Sequence, residues 1–211
     1  MKISTSILNT KDRVKAVIEL NKTNTSYIHI DVMDGIFVSN TQFNTIKEID
    51  AINMVSKHKL DIHLMVENPI EYIEQLGNMN IEYITFHLEV EKDIKQIISK
   101  IKEKKYKVGI SIKPNTGIKK IKPYIKDIDL ILVMSVEPGK GGQEFLPSTL
   151  EKINNLKKLI SKNNSNILIE VDGGINNKTI TKLDNVDIAV VGSYVINSDN
   201  YYNKIENLLS K

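Results

Sequence analysis

The chain has 211 residues, 41% hydrophobic and 26% charged, with a formal net charge of +3 and a pI near 8.8. Its length suffices for one sizeable domain burying roughly 70% of the surface its unfolded form exposes, and its composition is that of an ordinary soluble globular protein. The absence of cysteine excludes disulfides, thiolate metal sites and cysteine nucleophiles together.

From the N-terminus, "MKISTSILNTKDR" has a basic start but no long apolar run with a small-residue cleavage site. It does not read as a signal peptide, and a cytoplasmic location is expected. A first strand is predicted over Lys2–Leu8, then the amphipathic stretch "KDRVKAVIELN", which holds Arg13, the only arginine. The second strand, Tyr27–Val32, opens the segment "YIHIDVMDGIFVSN", which contradicts itself. His29, Asp31 and Asp34 stand where a core strand should carry Val, Ile or Leu. An unpartnered buried charge costs several kcal/mol, so these groups must have something bound to them. The third strand, Leu60–Val66, repeats the pattern with Asp61 and His63. Asn68-Pro69 starts the helical stretch "NPIEYIEQLG" with proline at the first helical position, and Gly77 stops it.

A fourth strand is predicted over Tyr83–His87, the helical pattern "EKDIKQIISKIKEKK" follows, and the fifth strand is Lys107–Ile112. The basic runs Ser99 to Lys107 and Ile118 to Lys126 interleave Ile with Lys as a solvated helix face does. With a single arginine in the chain, side-chain recognition of phosphates or guanine edges is not expected, so no nucleic-acid partner is predicted. The sixth strand, Leu130–Met134, runs into "MSVEPGKGGQEF", where Gly139, Gly141 and Gly142 let a backbone bend closely around an anion. After "STLEKINNLKKLISK" come strands over Ile167–Val171 and Asp187–Val191; Asp172 with Gly173-Gly174 closes the first, and Gly192-Ser193 the second. No apolar run approaches the ~20 residues that span a bilayer, so no membrane partner is predicted.

Eight strands alternating with helical patterns favour a closed (β/α)8 barrel over an open doubly wound sheet of about six strands. Residues 1–211 show no linker or low-complexity segment, so one barrel domain is expected. Residues two apart on a strand share a face, which pairs His29 with Asp31 and Asp61 with His63. These residues and Asp172 fall near C-terminal strand ends, where barrel active sites form. Individually, each reads as a satisfied buried histidine or a helix-capping aspartate. Together, two His and two Asp from this set, without Cys, make an N/O site for a divalent transition metal. Glycines after the seventh and eighth strands match the phosphate position of barrel enzymes. With one arginine available, any phosphate group is expected to be held by backbone N–H groups.

These residues carry a family resemblance. The chain resembles ribulose-phosphate 3-epimerase over nearly its full length, through "SIL", "HIDVMDGIFV", "DIHLMVENP", "FHLE", "IKPNT", "MSVEPGKGGQEF", "EVDGGI" and "GS" in that order. The resemblance implies a barrel of the ribulose-phosphate binding type. It also implies metal-dependent interconversion of D-ribulose 5-phosphate and D-xylulose 5-phosphate at C3 through an enediolate, a step of the pentose phosphate pathway. His29, Asp31, His63 and Asp172 would bind one divalent ion (Zn, Fe, Mn or Co), with Asp31 and Asp172 as the acid/base pair on opposed sides of the barrel mouth. Ser6 and His63 would contact the sugar. The substrate's phosphate would lie against Gly141 and Gly142, with Gly139 and Lys140 in the same loop, and against Gly173, Gly174, Gly192 and Ser193. Met33, Met65 and Met134, ordinary core residues by default, would form an uncharged, polarizable wall. A homo-oligomer is expected on the same grounds.

Three departures from the family pattern stand out. Lys140 replaces the usual aromatic and either adds charge to the phosphate grip or points into water; Ser39 replaces a proline; and Asn44-Thr45 replace a frequent Gly-Pro. The rival enzyme reading is a 3-epimerase of a longer ketose phosphate such as D-allulose 6-phosphate, which would share the same chemistry. A decarboxylase or synthase of similar barrel type fits less well, because "DIHLMV" lacks the Asp-x-Lys-x-x-Asp pattern. Lys113 offers a Schiff-base amine at the end of the fifth strand, although a lysine before proline in a loop is usually just exposed. A non-catalytic metal-binding barrel would keep the fold while losing an acid or base, and both Asp31 and Asp172 are present. His58 is expected to be an exposed helix-end residue and His87 a hydrogen-bonded barrel filler facing the mouth.

Overall fold

The computed structural model describes residues 1–43, 46–163 and 166–211, so Asn44 and Thr45 lie outside the described residues. Eight strands form the ring: β1 (Lys2–Ser6), β2 (Tyr27–Asp34), β4 (Lys59–Met65), β5 (Ile81–His87), β6 (Lys107–Ile112), β7 (Leu130–Met134), β8 (Leu168–Asp172) and β9 (Ile188–Val191). They follow one another in the order β1-β9-β8-β7-β6-β5-β4-β2, and a β1–β2 pairing closes the circle. Every pairing in the ring is parallel. The expected eight-stranded barrel is therefore present. The additional strand, β3 (Thr41–Gln42), pairs antiparallel with β2 and lengthens it to Asp34, two residues past the predicted end.

Helices cover the ring from outside, and α4 (Ile94–Glu103) illustrates why these sequences form them. Asp93 caps its first turn by accepting from the Lys95 and Gln96 N–H groups, which satisfies donors that have no intrahelical partner. Ile94, Ile97, Ile98 and Ile101 fall on one buried face. Each buried isoleucine contributes roughly 1.5–3 kcal/mol. Lys100 and Lys102 stand in the last turn, where cations favour the carbonyl end. Lys105, with φ of 64°, turns the chain out of the helix towards β6.

The helices α1 (Arg13–Leu20), α3 (Pro69–Gln75) and α5 (Ser148–Lys162) lie where their patterns predict. The patterns singled out above did not include α2 (Ile46–Val55), α6 (Ser193–Ile196) or α7 (Tyr201–Leu209). The basic run after β6 is not the predicted helix face but a 3-10 segment, Ile118–Tyr124, because Pro123 cannot donate to a helical ladder. His58 also differs from expectation. It is half-buried, and its Nε2 lies 3.2 Å from the Leu20 carbonyl oxygen.

Apolar packing divides into a layer between ring and helices, a smaller cluster inside the ring and a group of Met33, Val38 and Met65. Tyr27, Tyr83, Leu130 and Ile188 belong to that inner cluster, with the two tyrosine rings edge to face at 5.7 Å. The interior is tightly filled: a Cβ on Gly109 would lie 2.1 Å from Thr85 Oγ1. Above this floor the interior residues turn polar, and strand register decides which ones meet. β2 and β4 pair His29 with Asp61, Asp31 with His63 and Met33 with Met65, while β7 and β8 pair Met134 with Asp172.

Candidate active site

Strand alternation sends His29 and Asp31 of β2, Asp61 and His63 of β4, and Glu170 of β8 into the barrel, where all five are buried. One ligand atom each from His29, Asp31, His63 and Asp172 lies within 4.8 Å of the others. The structure thus brings together all four residues that the family resemblance nominates as metal ligands. His29 Nε2 is 3.3 Å from Asp31 Oδ1, buried and without an aligned hydrogen bond. His63 Nδ1 faces the same oxygen at 3.1 Å. Two imidazole nitrogens and two carboxylates around one point fit a divalent cation with N/O preference.

A second tier of buried groups orients the first. His29 Nδ1 lies 2.7 Å from Asp61 Oδ2, which also accepts from Ser4 Oγ at 2.7 Å. Burial opposes charge on His29, but the flanking Asp31 and Asp61 carboxylates raise its pKa well above the ordinary value. Glu170 sits beside Asp61 and is pushed well above the carboxylate range by burial and by that neighbour. Burial there favours its protonated form, although among the described residues no aligned hydrogen bond joins it to Asp61. Sequence reasoning missed Glu170, because a strand pattern does not tell which carboxylates will meet across the ring.

The two candidate acid/base residues differ in environment. Burial raises the Asp31 pKa, but His29 and His63 outweigh that cost and hold it well below the usual range. Ser6 Oγ also donates to Asp31 Oδ2 at 2.9 Å. Asp172 is pushed up to about 6 by burial and by the nearby Asp31. The strands that carry them, β2 and β8, are separated in the ring by β1 and β9. The carboxylates therefore stand three strands apart rather than diametrically opposed. Asp34, the third unexpected polar residue of β2, serves the backbone instead. Its carboxylate accepts from the N–H groups of Ile36, Phe37 and Glu67 at 2.6–2.9 Å.

A cavity of about 600 Å³ opens above this cluster. Ser6, Asp31 and Asp172 line it, and so do Met33, Met65 and Met134. Its other wall contains Gly139, Lys140, Gly141, Gly142, Gly173, Gly174, Gly192 and Ser193. Gly139, Gly142, Gly173 and Gly174 have φ between 64° and 118°, the region that favours glycine. A Cβ at Gly174 would approach the Phe145 backbone nitrogen to 2.3 Å, so the adjoining loop rests directly on that residue. Gln143 holds the β7 loop in shape by donating to the Glu137 and Lys140 carbonyls at 2.7 and 2.9 Å. Asn9, another lining residue that the patterns missed, donates to Ser193 Oγ at 3.3 Å.

Lys140 is exposed, as its reading in water expects, although it lines the cavity mouth. Lys113 lays its ammonium 4.1 Å from the Phe37 ring centre and is not among the lining residues. His87 is buried and faces His63, with their Nε2 atoms 2.9 Å apart. Among the described residues, no helix is long and apolar enough to cross a membrane.

The model of the ribulose-phosphate 3 epimerase family matches residues 2–196. The chain is 37% identical over 211 residues to a ribulose-phosphate 3-epimerase of Helicobacter pylori, covering 99% of this chain and 96% of the relative. The enzyme of that name from Bacillus subtilis is 38% identical over 162 residues, covering 76% and 74%. The one from Schizosaccharomyces pombe is 39% identical over 168 residues, covering 79% and 72%. Among solved structures, 3-hexulose-6-phosphate synthase from Salmonella typhimurium superposes with a TM-score of 0.69 at 16% identity, covering 100% and 97% of the two chains. A tryptophan synthase alpha-subunit from Pyrococcus furiosus reaches 0.73 at 13% identity, covering 100% and 98%. At such identities these two likenesses speak for the barrel alone.

Proposed function

The chain belongs to the ribulose-phosphate 3-epimerase family, and we propose that it interconverts D-ribulose 5-phosphate and D-xylulose 5-phosphate. The observation that carries this reading is the meeting of His29, Asp31, His63 and Asp172 beneath a cavity walled by glycines. Those four residues would hold one divalent ion, Zn, Fe, Mn or Co. When bound, it supplies Lewis-acid stabilisation of negative charge on the substrate's oxygens.

Inverting a carbon beside a carbonyl requires removal of a proton from one face and delivery of another to the opposite face. Asp31 and Asp172 are the pair we assign to this task. Environments that push two carboxyl pKa values apart sort an acid from a base: the His29 and His63 rings keep Asp31 ready to accept, and burial beside Asp31 lets Asp172 hold a proton. In the reverse direction the two exchange roles. Ser6 keeps Asp31 in place through its 2.9 Å bond and lines the cavity where the sugar would sit, whereas His63, expected to contact the sugar, is buried and not among the lining residues. Met33, Met65 and Met134 present an uncharged wall that keeps water from the reacting carbon.

Phosphate would be gripped by backbone N–H groups at Gly141, Gly142, Gly173, Gly174 and Gly192 and by the Ser193 hydroxyl, with Gly139 shaping the loop and Lys140 at its solvent side. Gly192 gives the cleaner test. Its Cβ would meet Ser6 at 3.5 Å, an ordinary contact, whereas a Cβ at Gly174 would strike backbone. Gly192→Val should raise KM for the phosphorylated ketose about tenfold to a hundredfold, the scale of one lost charged hydrogen bond, with little change in Tm. An unchanged KM would remove Gly192 from the phosphate site.

The function itself is tested by turnover of ribulose 5-phosphate, allulose 6-phosphate and free ribulose by the purified full chain. Ribulose 5-phosphate should be turned over fastest and free ribulose very poorly, because binding energy from the phosphate positions the reacting carbon. Faster turnover of the hexulose phosphate, or equal turnover of ribulose with and without phosphate, would overturn the assignment. The reading extends to one barrel domain over residues 1–211, a cytoplasmic location and a homo-oligomer; light scattering tests the last.

A further inference from the structure

Beyond the metal-binding quartet, the buried groups behind His63 form a directed chain. His63 Nε2 meets His87 Nε2 at 2.9 Å, and His87 Nδ1 meets Glu89 Oε2 at 3.1 Å. Glu89 Oε1 accepts from the Lys113 backbone N–H at 2.9 Å and from the Thr116 hydroxyl. Lys152 anchors the same loop by donating to the Lys113 and Thr116 carbonyls, each at 3.0 Å. Phe37 packs tilted against His87, with ring centres 4.8 Å apart and planes at 41°.

Donor and acceptor counting gives this chain one direction. Glu89 is surrounded by donors and acts only as an acceptor, so His87 Nδ1 must carry the proton that points at it. A second proton on the fully buried His87 ring would place a charge against another imidazole at a large desolvation cost. His87 Nε2 is therefore bare and accepts, and the hydrogen between the two rings belongs to His63 Nε2. With that nitrogen protonated, the lone pair of His63 lies on Nδ1. It points at Asp31 Oδ1, 3.1 Å away, where two electron pairs face each other unless a proton or a metal ion stands between them.

We propose that His87 and Glu89 are positioning residues that lock His63 in its Nε2–H tautomer, so that Nδ1 presents a lone pair to a divalent cation. This rests on the proposed role of His63 as a metal ligand. Outer partners of this kind orient metal-binding histidines and raise their basicity. The pattern "FHLE" therefore encodes two parts of the site that never touch the cavity. Its histidine fills the barrel, as expected, and also transmits a hydrogen-bond direction.

Glu89→Gln is a near-isosteric test because it reverses the chain rather than cutting it. The amide oxygen must take the place of Oε1 to keep the Lys113 and Thr116 donors, which turns its NH2 towards His87. His87 Nδ1 then accepts, its Nε2–H donates to His63, and the His63 proton moves to Nδ1. In the zinc-free full chain, imidazole 15N spectra should show a proton on His63 Nε2 in the wild type and none there in Glu89→Gln. Zn2+ affinity, measured by chelator competition, should fall about tenfold to a hundredfold in the variant. Thr116→Val removes a donor to Glu89 without reversing the chain. It should cost thermal stability but leave Zn2+ affinity within about twofold of wild type.

A Glu89→Gln protein that keeps the Nε2–H pattern, or binds Zn2+ with wild-type affinity, would overturn the proposal. If that variant fails to fold, His87→Leu, which removes the acceptor for His63, must show the affinity loss instead, and unchanged affinity there is equally fatal. A wild type that binds no Zn2+ yet shows the expected tautomers would count against the metal reading rather than against the directed chain.

Discussion

Exhaustive removal of divalent metal should lower turnover by about a thousandfold or more, since Lewis-acid stabilisation is worth several kcal/mol and about 1.4 kcal/mol is a factor of ten. Adding back Zn, Mn, Fe or Co one at a time identifies the ion by the activity each restores. A second readout needs no substrate. A cation that binds only the folded chain raises Tm in proportion to its concentration over Kd, so metal should stabilise the protein measurably. His63→Ala should lower metal occupancy and turnover together. It also strips partners from His87 and Asp31, costing about 1–3 kcal/mol of stability without unfolding the barrel. Protons should compete for the same site. His29 is raised well above its ordinary value and Asp172 to about 6, and ligands bind metal deprotonated, so affinity should fall as pH drops, first as His29 takes up a proton and again through about 6. Full activity in metal-free protein would refute the metal role. Loss of activity with no metal-dependent shift in Tm would point instead to damage by the chelator treatment.

Two simple regularities narrow the candidate ligands in the sequence to a few residues, and the family resemblance selects four of them. Alternation places His29 with Asp31 and Asp61 with His63 on one face, and barrel geometry places strand ends at the mouth. What crosses between strands was not legible. The contact of His87 with His63 depends on how β4 and β5 slide past each other, and their register shifts between Leu60 and Asp61. No residue pattern announces that irregularity. Glu170 is a similar case: nothing in "ILIEVDGG" says that its carboxyl meets Asp61 from the opposite side of the ring, four strands away, rather than water. Asp34 misled in the opposite sense, since a short polar side chain after a strand caps a turn as readily as it binds a ligand. The run around Pro123 read as a helix because its Ile and Lys spacing is helical, but one missing N–H decided otherwise. Periodicity thus located the site's inner ring, whereas the groups that orient it emerge only from three-dimensional register.

The sharpest expectation concerns the faces of the substrate. If Asp31 and Asp172 serve opposite faces of C3, epimerisation in heavy water must place solvent deuterium at C3 of the product, because the proton removed and the proton delivered belong to different acids. Asp31→Asn and Asp172→Asn should each abolish inversion. Loss of one general acid or base costs about 10²–10⁴-fold, and an amide cannot shuttle a proton. Each variant should nonetheless still exchange the C3 proton of the epimer that presents it to the surviving carboxylate. The two variants should therefore label different epimers. Their folds should survive, because the substitution is isosteric and Asp172 lies at a strand end facing the cavity. Both residues are proposed metal ligands, so metal content has to be matched first, by supplying excess ion to each variant. The geometry makes the outcome less obvious than it would be for diametrically opposed groups. β2 and β8 are three strands apart, and the two carboxylates approach each other within 4.8 Å. A planar intermediate would have to enter between them edge-on, held by the phosphate grip on one side and the methionine wall on the other. If both metal-loaded variants label the same epimer equally, the carboxylates reach the carbon from one side. A single shared base would then replace the two-face assignment.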